Sequence, residues 1–130
     1  MIILFFDKNT GTGIPKALRE LKPPFKVEYH ERHFKKDEDD DRWLPVVGAK
    51  KWIVIGHDRK FHENQNELDA IKKYKIGCFY LWGAEATKWE KVKLFFKACD
   101  NIMLTAMSTK RPFIYSVKKN GNLKRVKLPI

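Results

Sequence analysis

Trp52-Ile53-Val54-Ile55-Gly56-His57-Asp58 is the stretch that decides the fold. Its apolar residues run without polar alternation into a glycine and then an aspartate, which is the pattern of a strand buried on both faces. Such strands belong to parallel sheets covered by helices. The chain opens in the same way: Ile2-Ile-Leu-Phe-Phe6 is continuously apolar and ends at Asp7. Two buried strands, each with an aspartate at its carboxyl end, frame the rest of the sequence.

Between them, Asn9-Thr-Gly-Thr-Gly13 reads as a turn. Pro15 suits a first helical turn, Ala17, Leu18 and Leu21 form the apolar stripe of a short helix, and Pro23-Pro24 stops it. Phe25 to Tyr29 alternates apolar with charged residues and predicts a half-exposed strand. His30 to Asp41 is a charged stretch containing Asp37-Glu-Asp-Asp-Asp41. Asp41 stands immediately before a helix predicted from Trp43, Leu44, Val46 and Val47, with Pro45 early in it and Gly48 near its end. Beyond Asp58, a helix is predicted over Asn64–Lys75 from Leu68, Ile71 and Tyr74, and an apolar strand over Ile76–Trp82. A second long helix is predicted from Ala86 to about Met107, with Trp89, Val92, Phe96 and Cys99 at helical offsets. Trp82, Trp89, Phe95 and Phe96 read as core rather than as base-stacking groups. Pro112–Val117 and Leu123–Leu128 flank Lys118-Lys-Asn-Gly-Asn122, a hairpin signal.

Alternating strand and helix units predict an α/β sandwich around a central, mostly parallel sheet. We expect one domain over residues 1–130, with 108–130 as a basic C-terminal β-hairpin extension carrying seven basic residues and no acidic one.

The chain has 130 residues, 43% of them hydrophobic, enough to build a packed core and to exclude disorder as a description of the whole. Cys78 and Cys99 are isolated in apolar surroundings and read as core thiols in a reducing compartment. The apolar amino terminus is too short for a targeting segment, and no run approaches the ~18 apolar residues of a membrane span. A soluble, cytoplasmic protein with no membrane association is therefore expected. With 27 Lys and Arg against 16 Asp and Glu, the formal charge is +11. That balance favours a polyanionic partner, nucleic acid above all.

In open α/β sheets, functional groups gather outside the carboxyl ends of the strands, near the point where strand order reverses. Asp7 and Asp58 occupy two such ends and share a crevice if their strands are neighbours. Asp41, or Asp40 in its place, can add a third carboxylate from a helix start. Three oxygen donors suit a hard cation such as Mg²⁺ or Mn²⁺, which can polarise a phosphodiester and activate a bound water. Taken singly, each aspartate also has a plain reading as a turn former or helix cap. An acidic centre within a basic protein is the charge layout of a metal-dependent nuclease. Lys8, Arg59 and Lys60 adjoin the proposed acids and can hold the scissile phosphate. His57 and His62 flank Asp58 and either touch a phosphate, act as general acid, or lie on the surface. His30, His33, His57 and His62 do not have zinc-ligand spacing. Gly11-Thr-Gly13 lacks the remainder of a phosphate-loop or dinucleotide motif.

Five segments together resemble a known family: Phe5-Phe6-Asp7-Lys-Asn9, Asp41-Arg-Trp-Leu44, Trp52-Ile-Val-Ile-Gly-His-Asp58, Glu67 in the helix that follows, and Lys110-Arg-Pro-Phe-Ile-Tyr-Ser-Val117. In order and spacing the chain is similar to the PIN-like domains of the VapC-type toxin ribonuclease group. That resemblance implies a three-layer PIN-like sandwich whose metal-bound acidic cluster hydrolyses single-stranded RNA. It matches Asp7, Asp41 and Asp58 to the acidic positions, with Glu67 as a fourth reached through water. Gly56 stands where related domains often place Thr or Ser, so a backbone amide can approach where a hydroxyl otherwise would. The implied cofactor is Mg²⁺ or Mn²⁺, and the implied partners are RNA and a cognate antitoxin protein, with a homodimer left open. The alternative is a basic nucleic-acid-binding module or a regulatory PIN-like protein without catalysis.

Overall fold

The computed structural model describes residues 1–35, 37–57, 65–83 and 85–128. Six strands form one sheet in the order β2-β1-β3-β4-β5-β6. They are β1 (Ile3–Phe6), β2 (Lys26–Tyr29), β3 (Ile53–Gly56), β4 (Gly77–Leu81), β5 (Phe113–Val117) and β6 (Leu123–Val126). All neighbours pair in parallel except β5 and β6. The chain leaves β1 for β2 on one side, then crosses back to β3 on the other. The strand order therefore reverses between β1 and β3, whose register sets Phe6 against Ile55.

The helices are α1 (Gly13–Leu21), α2 (His30–His33), α3 (Asp40–Ala49), α4 (Gln65–Lys73) and α5 (Lys88–Ser108). Because successive side chains of a strand point to opposite faces, each strand feeds two cores. Leu4, Phe6, Ile53, Ile55, Phe79 and Leu81 pack with α1 and α5. Phe5, Val54, Cys78 and Tyr80 pack with α3 and α4. The result is the expected three-layer α/β sandwich. Gly77 leaves room on the α1–α5 side: a Cβ there would lie 2.5 Å from Cζ of Phe113.

Three local readings change. The charged stretch holds a one-turn helix, α2, that its composition does not announce. α3 begins at Asp40 with Asp39 as its N-cap, so Asp41 lies inside the first turn rather than before it. Pro45 is consequently interior, and its missing N–H cannot serve the Asp41 carbonyl. The long helix α5 turns a different face inward from the one predicted. Leu94, Phe95, Ala98, Ile102 and Ala106 are buried, whereas Trp89 is 71% and Phe96 52% exposed. Trp82 is also partly exposed, so of the four aromatics read as core only Phe95 is fully enclosed.

The hairpin forms where Asn120-Gly121 predicts it. Lys118 N–H donates to the Asn122 carbonyl at 2.8 Å, and Gly121 has a φ of 88°, in the region glycine favours. β5 is a full member of the sheet, in register with β4 from Gly77↔Phe113 to Leu81↔Val117.

Candidate active site

Asp7 is the first residue beyond β1 and is 2% exposed. Its backbone is clamped on both sides. The Asp7 N–H donates to the Ile55 carbonyl at 3.0 Å, and its own carbonyl accepts from the Thr10 N–H at 3.2 Å and from the buried Thr10 hydroxyl at 2.8 Å. Thr10 closes a single 3-10 turn, Lys8–Thr10, that reverses the chain directly over the strand end. Asp7 is thereby held at the β1/β3 switch point on the face shared with Phe5, Val54 and Tyr80.

Gly56 faces this carboxylate. A Cβ at Gly56 would lie 2.7 Å from Oδ2 of Asp7 and 3.4 Å from Cδ1 of Tyr80. Any larger residue would therefore fill the space beside the acid. Glu67, in the first turn of α4, is half-buried and close enough to act electrostatically on the same neighbours. Burial raises the Tyr80 hydroxyl well above the ordinary tyrosine range, and Cys78, Asp7 and Glu67 push it further. Tyr80 is accordingly a neutral O–H donor beside two acids. Burial also drives the Cys78 thiol far up, opposed by a hydrogen bond with Tyr80 and reinforced by Asp7 and Glu67, so it stays a neutral thiol.

α3 is drawn to this side of the sheet by aromatic packing. The Trp43 ring is 5.4 Å from that of Phe5, which in turn stacks on Trp52 at 5.7 Å. Phe5 is two residues before Asp7 on the same face, so the α3 first turn, with Asp40 and Asp41, is brought to the Asp7 side. The side chains of Asp40 and Asp41 lie outside the described residues, as do Asp58, Arg59, Lys60 and His62 entirely. Lys8 is exposed at the start of the 3-10 turn.

His57 is one residue past β3 and points to the opposite face of the sheet, toward α5. It is 1% exposed, and neither ring nitrogen has a hydrogen-bond partner among the described residues. Burial, followed by the positive charge of Lys91 on α5, lowers its pKa to about 4. It is a neutral, enclosed histidine at pH 7, not the surface histidine that a strand-end loop suggests.

Residues 2–83, more than half of the chain, match the PIN like domain description. The chain belongs to the PIN-like domain family. PIN-like domains are in general nucleases and usually use divalent metal ions. The match is to PIN-like domains as a whole and does not single out the VapC-type group. Comparisons with curated proteins and with solved structures gave no significant match.

Within this PIN-like domain, the matched span runs from β1 past the end of β4 and contains Asp7, Asp41, Asp58 and Glu67. Asp7 and Glu67 each act on Tyr80 and Cys78, and as oxygen donors their chemistry fits Mg²⁺ or Mn²⁺; the missing side chain of Gly56 lets Asp7 Oδ2 lie close to the β3 end. Among the described residues no group of three His, Cys, Asp or Glu side chains is placed to hold a metal. No helix among the described residues is long and apolar enough to cross a membrane.

Two participants escape a sequence reading. Tyr80 looks like any apolar strand residue until the β3–β4 register places it beside Gly56. Lys91 has no motif around it, and its role emerges only from the way α5 lies over His57.

Proposed function

We propose that this PIN-like domain is a metal-dependent endoribonuclease that hydrolyses phosphodiester bonds of single-stranded RNA, and that it is the toxin of a toxin–antitoxin pair acting in the cytoplasm. The observation that carries the proposal is Asp7: an acid buried at the strand-order switch point, with its Oδ2 lying against the bare backbone of Gly56 and Glu67 acting with it on Tyr80.

Asp7, Asp41 and Asp58 would hold Mg²⁺ or Mn²⁺, with Glu67 reaching it through water. Such an ion, when bound, polarises a phosphodiester oxygen and lowers the pKa of a coordinated water toward neutrality. The protein's own part is preorganisation. The clamp from Ile55 and Thr10 fixes the Asp7 backbone, so the carboxylate need not be reoriented when substrate arrives. Tyr80 keeps its proton and can donate it in a hydrogen bond, and burial strengthens each of these electrostatic contacts. Lys8, Arg59 and Lys60 supply positive charge for the phosphate on either side.

The test is cleavage of a mixed-sequence single-stranded RNA by wild type, Asp7→Asn and Asp58→Asn, each with Mn²⁺ and with chelator. Cleavage confined to wild type with metal is expected, with Asp7→Asn reduced at least about 100-fold. Metal-dependent cleavage retained by Asp7→Asn overturns the site. The toxin role is tested by expression in a bacterial host: growth arrest by wild type, lost with Asp7→Asn and relieved by the product of a neighbouring small reading frame.

A second reading draws on the +11 charge, which is enough by itself for RNA affinity. A non-catalytic, regulatory PIN-like protein would bind RNA in a salt-sensitive manner indifferent to chelator. It would also show no Mn²⁺-dependent rise in Tm.

A further inference from the structure

β4 ends one strand away from β3, and its register sets Gly56 against Tyr80. Extending that register beyond the strand ends places Trp82 on the same carboxyl edge as Asp7 and His57. With adjacent strands about 4.8 Å apart, Trp82 lies about 10 Å across the sheet from the β1 end. Its backbone is fixed there, because the Trp82 N–H donates to the Val117 carbonyl of β5 at 3.0 Å.

The indole is not packed away as the apolar strand pattern suggests. It is 38% exposed and forms one wall of an open cleft of about 280 Å³, whose other walls are Leu94, Lys93, Lys97 and Glu90 of α5 and Lys119 of the hairpin turn. The Lys119 ammonium sits 5.1 Å from the indole centroid. The hairpin tip is seated against the same helix, since a Cβ at Gly121 would come within 3.0 Å of the Lys97 side chain. Glu90 is the acidic member, and its carboxylate is turned to the helix start. It accepts from the Thr87 N–H at 3.3 Å and from the Thr87 hydroxyl at 3.1 Å, in a capping box. What remains for a ligand is an aromatic surface bordered by three ammonium groups, on the edge of the sheet where the buried acid lies.

We infer that Trp82 and this cleft form a stacking subsite for single-stranded RNA, in which an unpaired base lies on the indole and flanking phosphates meet Lys93, Lys97 and Lys119. Aromatic surfaces combined with backbone-tracking lysines are how proteins hold single strands without reading sequence. The subsite rests on the proposed nuclease reading for its substrate, and it lies beyond the acidic crevice. Strand entering there would run from the crevice across the β3 end and onto the face of α5.

The test is equilibrium binding rather than cleavage, so that it stands apart from catalysis. A labelled 12-nucleotide single-stranded RNA is titrated in chelator with wild type, Trp82→Phe, Trp82→Ala, Lys97→Ala, Lys119→Ala and Trp89→Ala. Trp82→Ala is expected to weaken binding by roughly 5- to 100-fold, with Trp82→Phe retaining most of the affinity. Each lysine variant is expected to lower the slope of log affinity against log salt by about 0.7. Trp89→Ala, on another face of α5, is expected to bind like wild type. Wild-type affinity in Trp82→Ala overturns the subsite. So does an equal loss in Trp89→Ala, equal Trp82 dependence with a duplex of the same sequence, or no RNA binding by wild type at low salt. Trp82-dependent binding without any metal-dependent cleavage would keep the subsite and remove the nuclease reading.

Discussion

Asp7 and His57 stand on adjacent strands within one register position of each other, and both are almost wholly buried, yet their surroundings are opposite. Asp7 faces the α3–α4 side, where its Oδ2 lies against Gly56 and Glu67 adds a second acid. His57 faces the α1–α5 side, where the Lys91 ammonium acts on it. The alternation of side chains along a strand separates the two environments by the thickness of the sheet. One edge thus sets Asp7 with Glu67 on one face and a neutral histidine near Lys91 on the other.

Among changes that leave both Asp7 and His57 in place, the largest expected effect comes from adding a methyl group on the acidic face. Gly56→Ala places a methyl 2.7 Å from Asp7 Oδ2, so the carboxylate must move. Cleavage and Mn²⁺ affinity are expected to fall roughly 10- to 100-fold, as when a ligand loses its support. Thermal shift with and without Mn²⁺ reads the affinity, and an Ala variant with wild-type response would show that the space beside Asp7 is unused.

On the other face the expected effect is on stability. His57 in the folded chain stays neutral down to about pH 4, whereas in the unfolded chain it takes up a proton near its ordinary value of about 6.5. Between those limits the unfolded state binds more protons, so stability falls as pH falls, by up to about 3 kcal/mol by pH 4. Urea unfolding of wild type and His57→Gln at pH 7 and pH 4.5 isolates this contribution. Equal pH dependence in the two proteins would place the acid sensitivity elsewhere.

The smallest effect sharpens the contrast further. Lys91→Gln removes the second cause of the lowered pKa, so the His57 titration followed by NMR should move up toward the ordinary histidine range while remaining below it. Global stability should change by less than about 0.5 kcal/mol. An unmoved titration would leave burial as its sole cause.

How much of this could be read from residues alone depended on whether neighbours were needed to interpret them. Ile2–Phe6 and Trp52–Ile55 announce buried parallel strands because an unbroken apolar run allows little else, and their adjacency follows from one crossover. Asn120-Gly121 likewise carries its turn in two residues. The inward face of α5 could not be read in this way. The helix has apolar residues around much of its circumference, and the sheet selects Leu94, Phe95 and Ala98 over Trp89 and Phe96, with Val92 at the margin. Within the candidate site, Asp7 was legible from its place at the end of a run. Tyr80 was not, because a tyrosine in an apolar strand shows no sign of which side its hydroxyl will find. The burial of His57 has no local sign either, because the charge that acts on it comes from α5, some thirty residues downstream.

The edges of the sheet have a consequence for how the chain can be made. Parallel strands joined by long crossovers gain their contacts late and leave unpaired backbone exposed in the meantime. The final strand escapes this constraint. β6 folds back on β5 through a short local turn and carries Lys124 and Arg125 outward, while β2 presents Lys26 at the far side. This locally formed strand therefore closes the apolar β5 edge with a charged strip that repels a like strip on a neighbouring molecule. Truncation before Leu123 would remove that closure, leaving a sheet open to recruitment by other nascent copies.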